Sequence, residues 1–326
     1  CLGTRPEWLK IKPLLQKMGS DSYSILFTGQ HEDLLKEIST DYRIKIEESS
    51  NRLDSIVSSC LTQFPNEQFS AVLVQGDTAS AFACALAAFH RGIFIYYLEA
   101  GLRTRDLNNP YPEEGYRQMI SRISNVNFAP TNMSLKNLIE EGVFGTNYVV
   151  GNTVLDNLVK YSTGEYGNVI LVTMHRRENH SIMKEWFFEI NELASKYPQY
   201  EFVLPIHPNP SVRQHKDILT SVKVIEPISH EETMGILKDC RLVITDSGGL
   251  QEESAFFNKK VIVCRKNTER PEGLHTGHLH ICESPSKLQD IFQRLEKDYA
   301  IDEECPYGNG HSSDLILKII SNERLS

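Results

Sequence analysis

Short apolar, β-branched runs alternate with stretches of helical spacing along almost the whole chain, and this alternation narrows the available folds more than any other feature. The runs predict strands at 24–27, 71–75, 93–97, 148–150, 169–173, 202–206, 222–225, 242–245 and 261–264. Helical spacing between them is clearest over 79–90, 114–125, 183–196 and 250–257. Continuous apolar strands in β-α-β order belong to parallel sheets covered by helices on both faces. One doubly wound sheet rarely holds so many units. A seam is also visible: 151–159 reads as a helix that runs into the polar, glycine-bearing stretch 162–167. The pattern therefore predicts an α/β protein of two Rossmann-like domains facing a central cleft, spanning 1–163 and 164–326, with the last helix packing back on the first domain. The chain opens at a strand end, Cys1-Leu2, and further strand residues are expected before it.

Composition excludes whole classes of function. No window approaches the ~18 consecutive apolar residues of a membrane span. The net charge of −9 argues against a broad basic surface for nucleic acid or anionic lipid. It leaves room for a phosphorylated small molecule held by a few local arginines. The seven cysteines are scattered, form no C-x-x-C pair and point to free thiols in a reducing, cytoplasmic compartment.

In open α/β sheets ligands bind beyond the carboxyl ends of the strands. Five predicted strands end in ionisable or small polar residues: Gly76-Asp77-Thr78, Glu99-Ala100-Gly101-Leu102-Arg103-Thr104, His175-Arg176-Arg177, His207-Pro208 and Asp246-Ser247-Gly248-Gly249. Singly, Asp77 or Ser247 could serve as an ordinary helix cap; together the five point to a site. Ser247-Gly248-Gly249 has the form of a phosphate cradle, with Glu253 in reach of a ribose above the same helix. Gly3-Thr4-Arg5-Pro6-Glu7 makes a similar junction, with Arg5 as a bidentate phosphate partner and Lys10 just over a turn further on. Arg270 adds another cation. Two anion-binding helix starts, one per half, would suit a diphosphate. Asp77, Glu99 and Glu113 with His175 are too many acids beside such a ligand unless they handle protons. Glu113 is equally an ordinary residue for a helix's first turn. The histidines of 275–280 lack matched metal-ligand spacing, so no metal is expected.

These junctions together resemble the non-hydrolysing UDP-N-acetylglucosamine 2-epimerase family. The resemblance runs from Gly3-Thr4-Arg5-Pro6-Glu7, through Gly76-Asp77-Thr78, 99–104, 112–114, 151–154, 175–179, 245–253 and 268–272, to 306–311. It implies a GT-B fold and reversible conversion of UDP-GlcNAc to UDP-ManNAc without metal or nicotinamide cofactor. UDP is eliminated to give 2-acetamidoglucal and then added back, in the service of a cell-surface polysaccharide pathway. The family's catalytic residues fall on Asp77, Glu99, Glu113 and His175. Its substrate-binding positions fall on Arg5, Lys10, Arg117, His207, Ser247, Gly248, Gly249, Glu253 and Arg270. Gln30, His31 and Arg176 match positions that in many bacterial members bind a second UDP-GlcNAc as activator. A cytoplasmic homodimer is implied.

The chain departs from the family at several points. Tyr116 stands where Asn usually precedes the arginine of the Pro-Glu-Glu helix, Asp33 where a longer side chain is common, and no aromatic for the uracil occurs in 227–234. The alternatives are a 2-epimerase of another UDP-2-acetamido sugar, the hydrolysing branch of the epimerases, a GT-B glycosyltransferase, or an inactive UDP-sugar-binding regulator.

Overall fold

The computed structural model describes residues 1–30, 38–161 and 165–323. The chain forms two compact units, one comprising Cys1–Asn157 with the segment that begins at Gly308, the other Leu158–Tyr307.

In the first unit β1 (Leu26–Phe27) pairs with β2 (Tyr42–Arg43), and β3 (Ala71–Gln75), β4 (Phe94–Leu98), β5 (Val126–Ala129) and β6 (Thr146–Val149) form a parallel sheet in that order. The opening residues join the two pieces. Leu2 bridges Phe27, and the Cys1 nitrogen donates to the Leu73 carbonyl at 2.9 Å. One face packs Leu2, Phe27, Tyr96, Leu98 and Phe128 against the helices Arg5–Lys17 and Ser312–Glu323. The other packs Leu26, Val74 and Tyr97 against the helices Arg52–Gln63, Ala79–His90 and Glu113–Ile123.

The second unit is one six-stranded parallel sheet. Its members are β7 (Val169–Thr173), β8 (Glu201–Pro205), β9 (Lys223–Ile225), β10 (Leu242–Thr245), β11 (Lys260–Val263) and β12 (Leu279–Ile281), in the order β12-β11-β10-β7-β8-β9. The chain winds outward one way from β7 and then, from β10, the other way. The topological switch point therefore lies between β7 and β10, where doubly wound sheets open a crevice. Trp186, Phe187, Ile190 and Phe292 fill one face of this sheet.

Three strands were not visible as apolar runs. β2 has two residues, β5 carries the fully buried Asn127, and β12 carries His280. The helix expected over 151–159 is a 3₁₀ segment, Thr153–Asn157. Asn152 accepts from the Val154 nitrogen, and Asn157 donates to the Leu9 carbonyl, so local side chains compete with an α-helical ladder. The units divide after Asn157, six residues before the expected boundary, and residues from Gly308 onward group with the first unit. Asp156 explains part of this: its two carboxylate oxygens accept from the Ser312 and Ser313 nitrogens at 3.0 and 2.7 Å, fixing the start of the last helix.

Candidate active site

At the carboxyl ends of the first unit's strands, two expected acids each meet a cation. Glu99 follows β4 with φ of 64°, a left-handed backbone that costs energy for a residue with a side chain. Its carboxylate is tied by Lys10, Gln75 and, at 3.5 Å, Asn152. Asp77 follows β3. Thr78, not Asp77, caps the next helix, its hydroxyl accepting from the Ala81 nitrogen at 3.0 Å. The Asp77 carboxylate instead accepts from two guanidinium nitrogens of Arg117, each at 2.7 Å. Arg117 is held in place by Glu114, fully buried, which also accepts from the Thr104 and Arg105 nitrogens and from Gln118 Nε2. Glu113 opens this same helix one turn before Arg117, on the same face. Its Oε2 is buried and takes no hydrogen bond among the described residues.

The first helix start differs from expectation. Gly3 must be glycine, because an added Cβ would lie 2.2 Å from Thr28 Oγ1 and 2.3 Å from Ser80 Oγ. The N–H groups that were to cradle a phosphate, however, are already used. Glu7 Oε2 accepts from the Gly3 and Thr4 nitrogens at 2.6 and 2.7 Å, and Oε1 accepts from the Thr78 hydroxyl. Burial pushes the Glu7 carboxyl above its usual range, against these hydrogen bonds. The protein thus supplies its own carboxyl acceptor here, and the N–H groups of the first expected anion cradle are occupied. Arg5, exposed at the helix start, remains a cation beside it. Gln30 is held by the Ser80 hydroxyl at 2.6 Å; His31 lies outside the described residues.

In the second unit the switch point gathers residues from β7, β8 and β10. Asp246, fully buried, accepts from the His175 nitrogen (3.0 Å), the Arg176 nitrogen (2.9 Å) and Asn179 Nδ2 (3.0 Å), binding the two crevice loops together. His175 Nδ1 lies 3.5 Å from the same carboxylate, and the His175 ring stacks on His207 at 5.5 Å. Burial lowers the pKa of both imidazoles, so both are neutral near pH 7. His207 Nδ1 accepts from the Asn209 nitrogen at 3.2 Å, which leaves Nε2 as its proton-bearing atom.

Ser247 precedes the helix Gly248–Phe256, and its side chain makes no cap hydrogen bond. A Cβ on Gly248 would sit 2.8 Å from Arg270 Nη1, 3.2 Å from Glu269 Oε1 and 3.3 Å from Arg176 Nη2, so two guanidinium groups and the carboxylate that pairs with Arg270 converge on this helix N-terminus, while the space beside Gly249 is open. This helix start has the local form expected of an anion cradle. Arg270 is fixed by Glu252 at 2.8 Å and by Glu269, while Arg176 Nε is buried without a hydrogen-bond partner among the described residues. Glu253, five residues after Gly248, pairs with His230 Nε2 at 2.6 Å.

Sequence reasoning gave no role to Glu7, Gln75, Glu114, Asn152, His230, Asp246 or Glu269. Several stand inside the motifs already quoted, and Asp246 directly after β10 was readable as a site residue. Glu99's other partners, Gln75 and Asn152, come together only through the fold. Among the described residues no group of His, Cys, Asp and Glu could hold a metal ion, and no helix is long and apolar enough to cross a membrane.

The family model described as UDP-N-acetylglucosamine 2-epimerase matches residues 15–321. A UDP-N-acetylglucosamine 2-epimerase of Neisseria meningitidis is 36% identical over 367 aligned positions, covering 99% of this chain and 98% of that protein. The crystal structure of a putative UDP-N-acetylglucosamine 2-epimerase from Listeria monocytogenes superposes with a TM-score of 0.90 at 32% identity, covering 99% of this chain and 94% of that one. The N. meningitidis UDP-GlcNAc 2-epimerase bound to UDP-GlcNAc superposes with a TM-score of 0.86 at 34% identity, covering 98% of each chain.

Proposed function

Since the chain belongs to the UDP-N-acetylglucosamine 2-epimerase family, an isomerase family, we propose that it interconverts UDP-GlcNAc and UDP-ManNAc by eliminating UDP across C1–C2 and adding it back. C2 of the sugar has no adjacent carbonyl, so a bare carbanion there is prohibitively costly. Elimination avoids one. A carboxylate takes the C2 proton, the C2–H electrons form the C1–C2 double bond, and the C1–O bond breaks with its pair going to UDP. Reversal delivers a proton to the opposite face of C2 and rejoins UDP at C1.

The observation that carries this reading is the pair of cation-backed acids, Asp77 with Arg117 and Glu99 with Lys10, at the ends of adjacent strands β3 and β4. Asp77, Glu99 and Glu113 act as the acid–base groups. In the second unit Ser247, Gly248, Gly249, Arg270 and Arg176 hold the diphosphate, Glu253 holds the ribose, and neutral His175, aligned by Asp246 and stacked on His207, serves the departing UDP. Arg5 contributes charge from the first unit. Arg176, expected at an activator site, enters this reading because it lies beside Gly248. The family resemblance extends the proposal to a cytoplasmic homodimer without metal or nicotinamide that supplies a cell-surface polysaccharide pathway.

An NMR time course of UDP-GlcNAc with the enzyme in D₂O tests it. The expected outcome is UDP-ManNAc carrying deuterium at C2, with no acceptor sugar added. A product formed without C2 exchange would rule out the route, and turnover that needs an acceptor would make the protein a glycosyltransferase.

A further inference from the structure

His230 has no part in the chemistry above, yet its ring makes a short contact with a residue that does. It is the first residue of the helix His230–Asp239, which begins with a capping box between Ser229 and Glu232. Its ring Nε2 lies 2.6 Å from Glu253 Oε1. Glu253 is 6% exposed, near the start of the helix that carries Gly248. A buried carboxylate so close to an intended diphosphate site repels the ligand unless its charge is balanced. Among the described residues, His230 is the side chain that hydrogen-bonds to the Glu253 carboxylate.

We propose that His230 is a positioning residue for the nucleotide: bound in its imidazolium form to Glu253 Oε1, it offsets that carboxylate's charge and fixes its rotamer, so that Oε2 faces the ribose hydroxyls. The proposal rests on the reading of Glu253 as the ribose-binding carboxylate. It also explains how the segment 227–234 contributes to nucleotide binding without an aromatic: the contribution passes through the carboxylate rather than through stacking on the base.

The surroundings of the ring are compatible with this. The groups facing it are Glu253 from the neighbouring helix, Glu231 from its own helix and Lys160 from the segment before β7. Burial disfavours the imidazolium, but the hydrogen bond and charge of Glu253 outweigh burial and Lys160, leaving His230 above its ordinary value. Lys160 is itself neutralised by Glu231 at 2.8 Å. The imidazolium form is therefore populated at neutral pH and lost on the alkaline side. His175 and His207 move the other way, so they do not titrate in that window.

The test is the half-saturating concentration of UDP-GlcNAc, measured with kcat from about pH 6 to about pH 9. UDP-GlcNAc is the right probe because its diphosphate is a diester and does not titrate there. In wild type the half-saturating concentration should rise by about fivefold across the alkaline limb, the scale of one partly buried ion pair, while kcat changes little. His230→Gln keeps a donor but no charge; it should show the weaker, alkaline affinity at every pH and no step. His230→Leu should weaken binding further, and His230→Lys should restore binding without the step. A step of the same size in His230→Gln, or a flat wild-type profile, overturns the proposal. Glu253→Ala separates it from its premise. If that variant folds and binds UDP-GlcNAc as well as wild type does, Glu253 holds no ribose and both fail. If it binds weakly while the His230→Gln profile matches wild type, only the role of His230 fails.

Discussion

Glu99 shows how much of a site a single residue can conceal. Its position after an apolar run marked it as an acid at a strand end, and the structure places it there with a left-handed backbone. Its partners were less visible. Lys10 stood out only as a cation near the first helix start, and the sequence pattern assigned it to phosphate; in the fold it meets a carboxylate 89 residues away. Arg117 was similarly assigned to substrate and meets Asp77 across 40 residues. Charge type and local spacing are readable in a sequence, but pairing over such separations depends on tertiary approach. The consequence is measurable. Asp77→Asn and Glu99→Gln should each lower kcat by at least ~10²-fold while UDP affinity measured by calorimetry stays within a few fold, as expected for loss of a general acid or base. Near-normal turnover in both would remove these residues from the chemistry.

At the scale of elements, two helices begin in glycine-bearing junctions and behave differently. In the second unit the N-terminus at Gly248 is attended by arginines. In the first, Glu7 turns back into its own helix start. Position N3 of a capping box is where a glutamate does this, so the motif Thr4-Arg5-Pro6-Glu7 carried the information, but it also had the form of a phosphate loop. Burial decides between the two: Glu7 is 2% exposed and makes three contacts. Glu7→Ala leaves two buried N–H groups without an acceptor and should cost about 2–6 kcal/mol, at ~1–3 kcal/mol each. Chemical denaturation of the variant checks it, and a loss below ~1 kcal/mol would mean that water or a ligand substitutes for the carboxylate. The strands divide along similar lines. β3, β4, β7 and β10 were legible because they are continuous and apolar, whereas β5 and β12 are interrupted by Asn127 and His280, polar residues that the fold nevertheless takes into its sheets.

For the whole molecule, the buried His278 and the half-buried His280 of the second unit set a limit on acid tolerance. His278 Nδ1 is bound to the Thr276 hydroxyl at 2.8 Å, and His280 Nε2 to the Gly277 carbonyl at 3.1 Å. Burial, helped by Lys260, depresses His278 from 6.5 to about 4; burial, helped by Arg294 and Lys260, does the same for His280. The folded protein therefore binds fewer protons than the unfolded chain between those values. Their contribution is complete above pH 6.5 and is lost as pH falls towards about 4. Urea midpoints should drop between about pH 7 and about pH 5, by an amount corresponding to ~1–3 kcal/mol, and His278→Gln should flatten the drop. An unchanged wild-type midpoint would show that these rings protonate without cost.

The same molecule is threaded in an order that matters before it is ever a catalyst. Its first unit lacks a piece until the second has been made in full, because Ile316 and Ile320 from the helix Ser312–Glu323 complete the apolar layer around Phe27, Tyr96 and Phe128. A ribosome working at ~5–20 residues per second releases the whole of Leu158–Tyr307 before that helix emerges. The second unit, encoded later, can thus close its core while the first, encoded earlier, still has one flank uncovered. During that interval the nascent chain presents an apolar surface to its surroundings. Premature termination or proteolytic clipping after Tyr307 would accordingly injure the half that carries Asp77 and Glu99 and leave the half that carries Gly248 with all of its own residues.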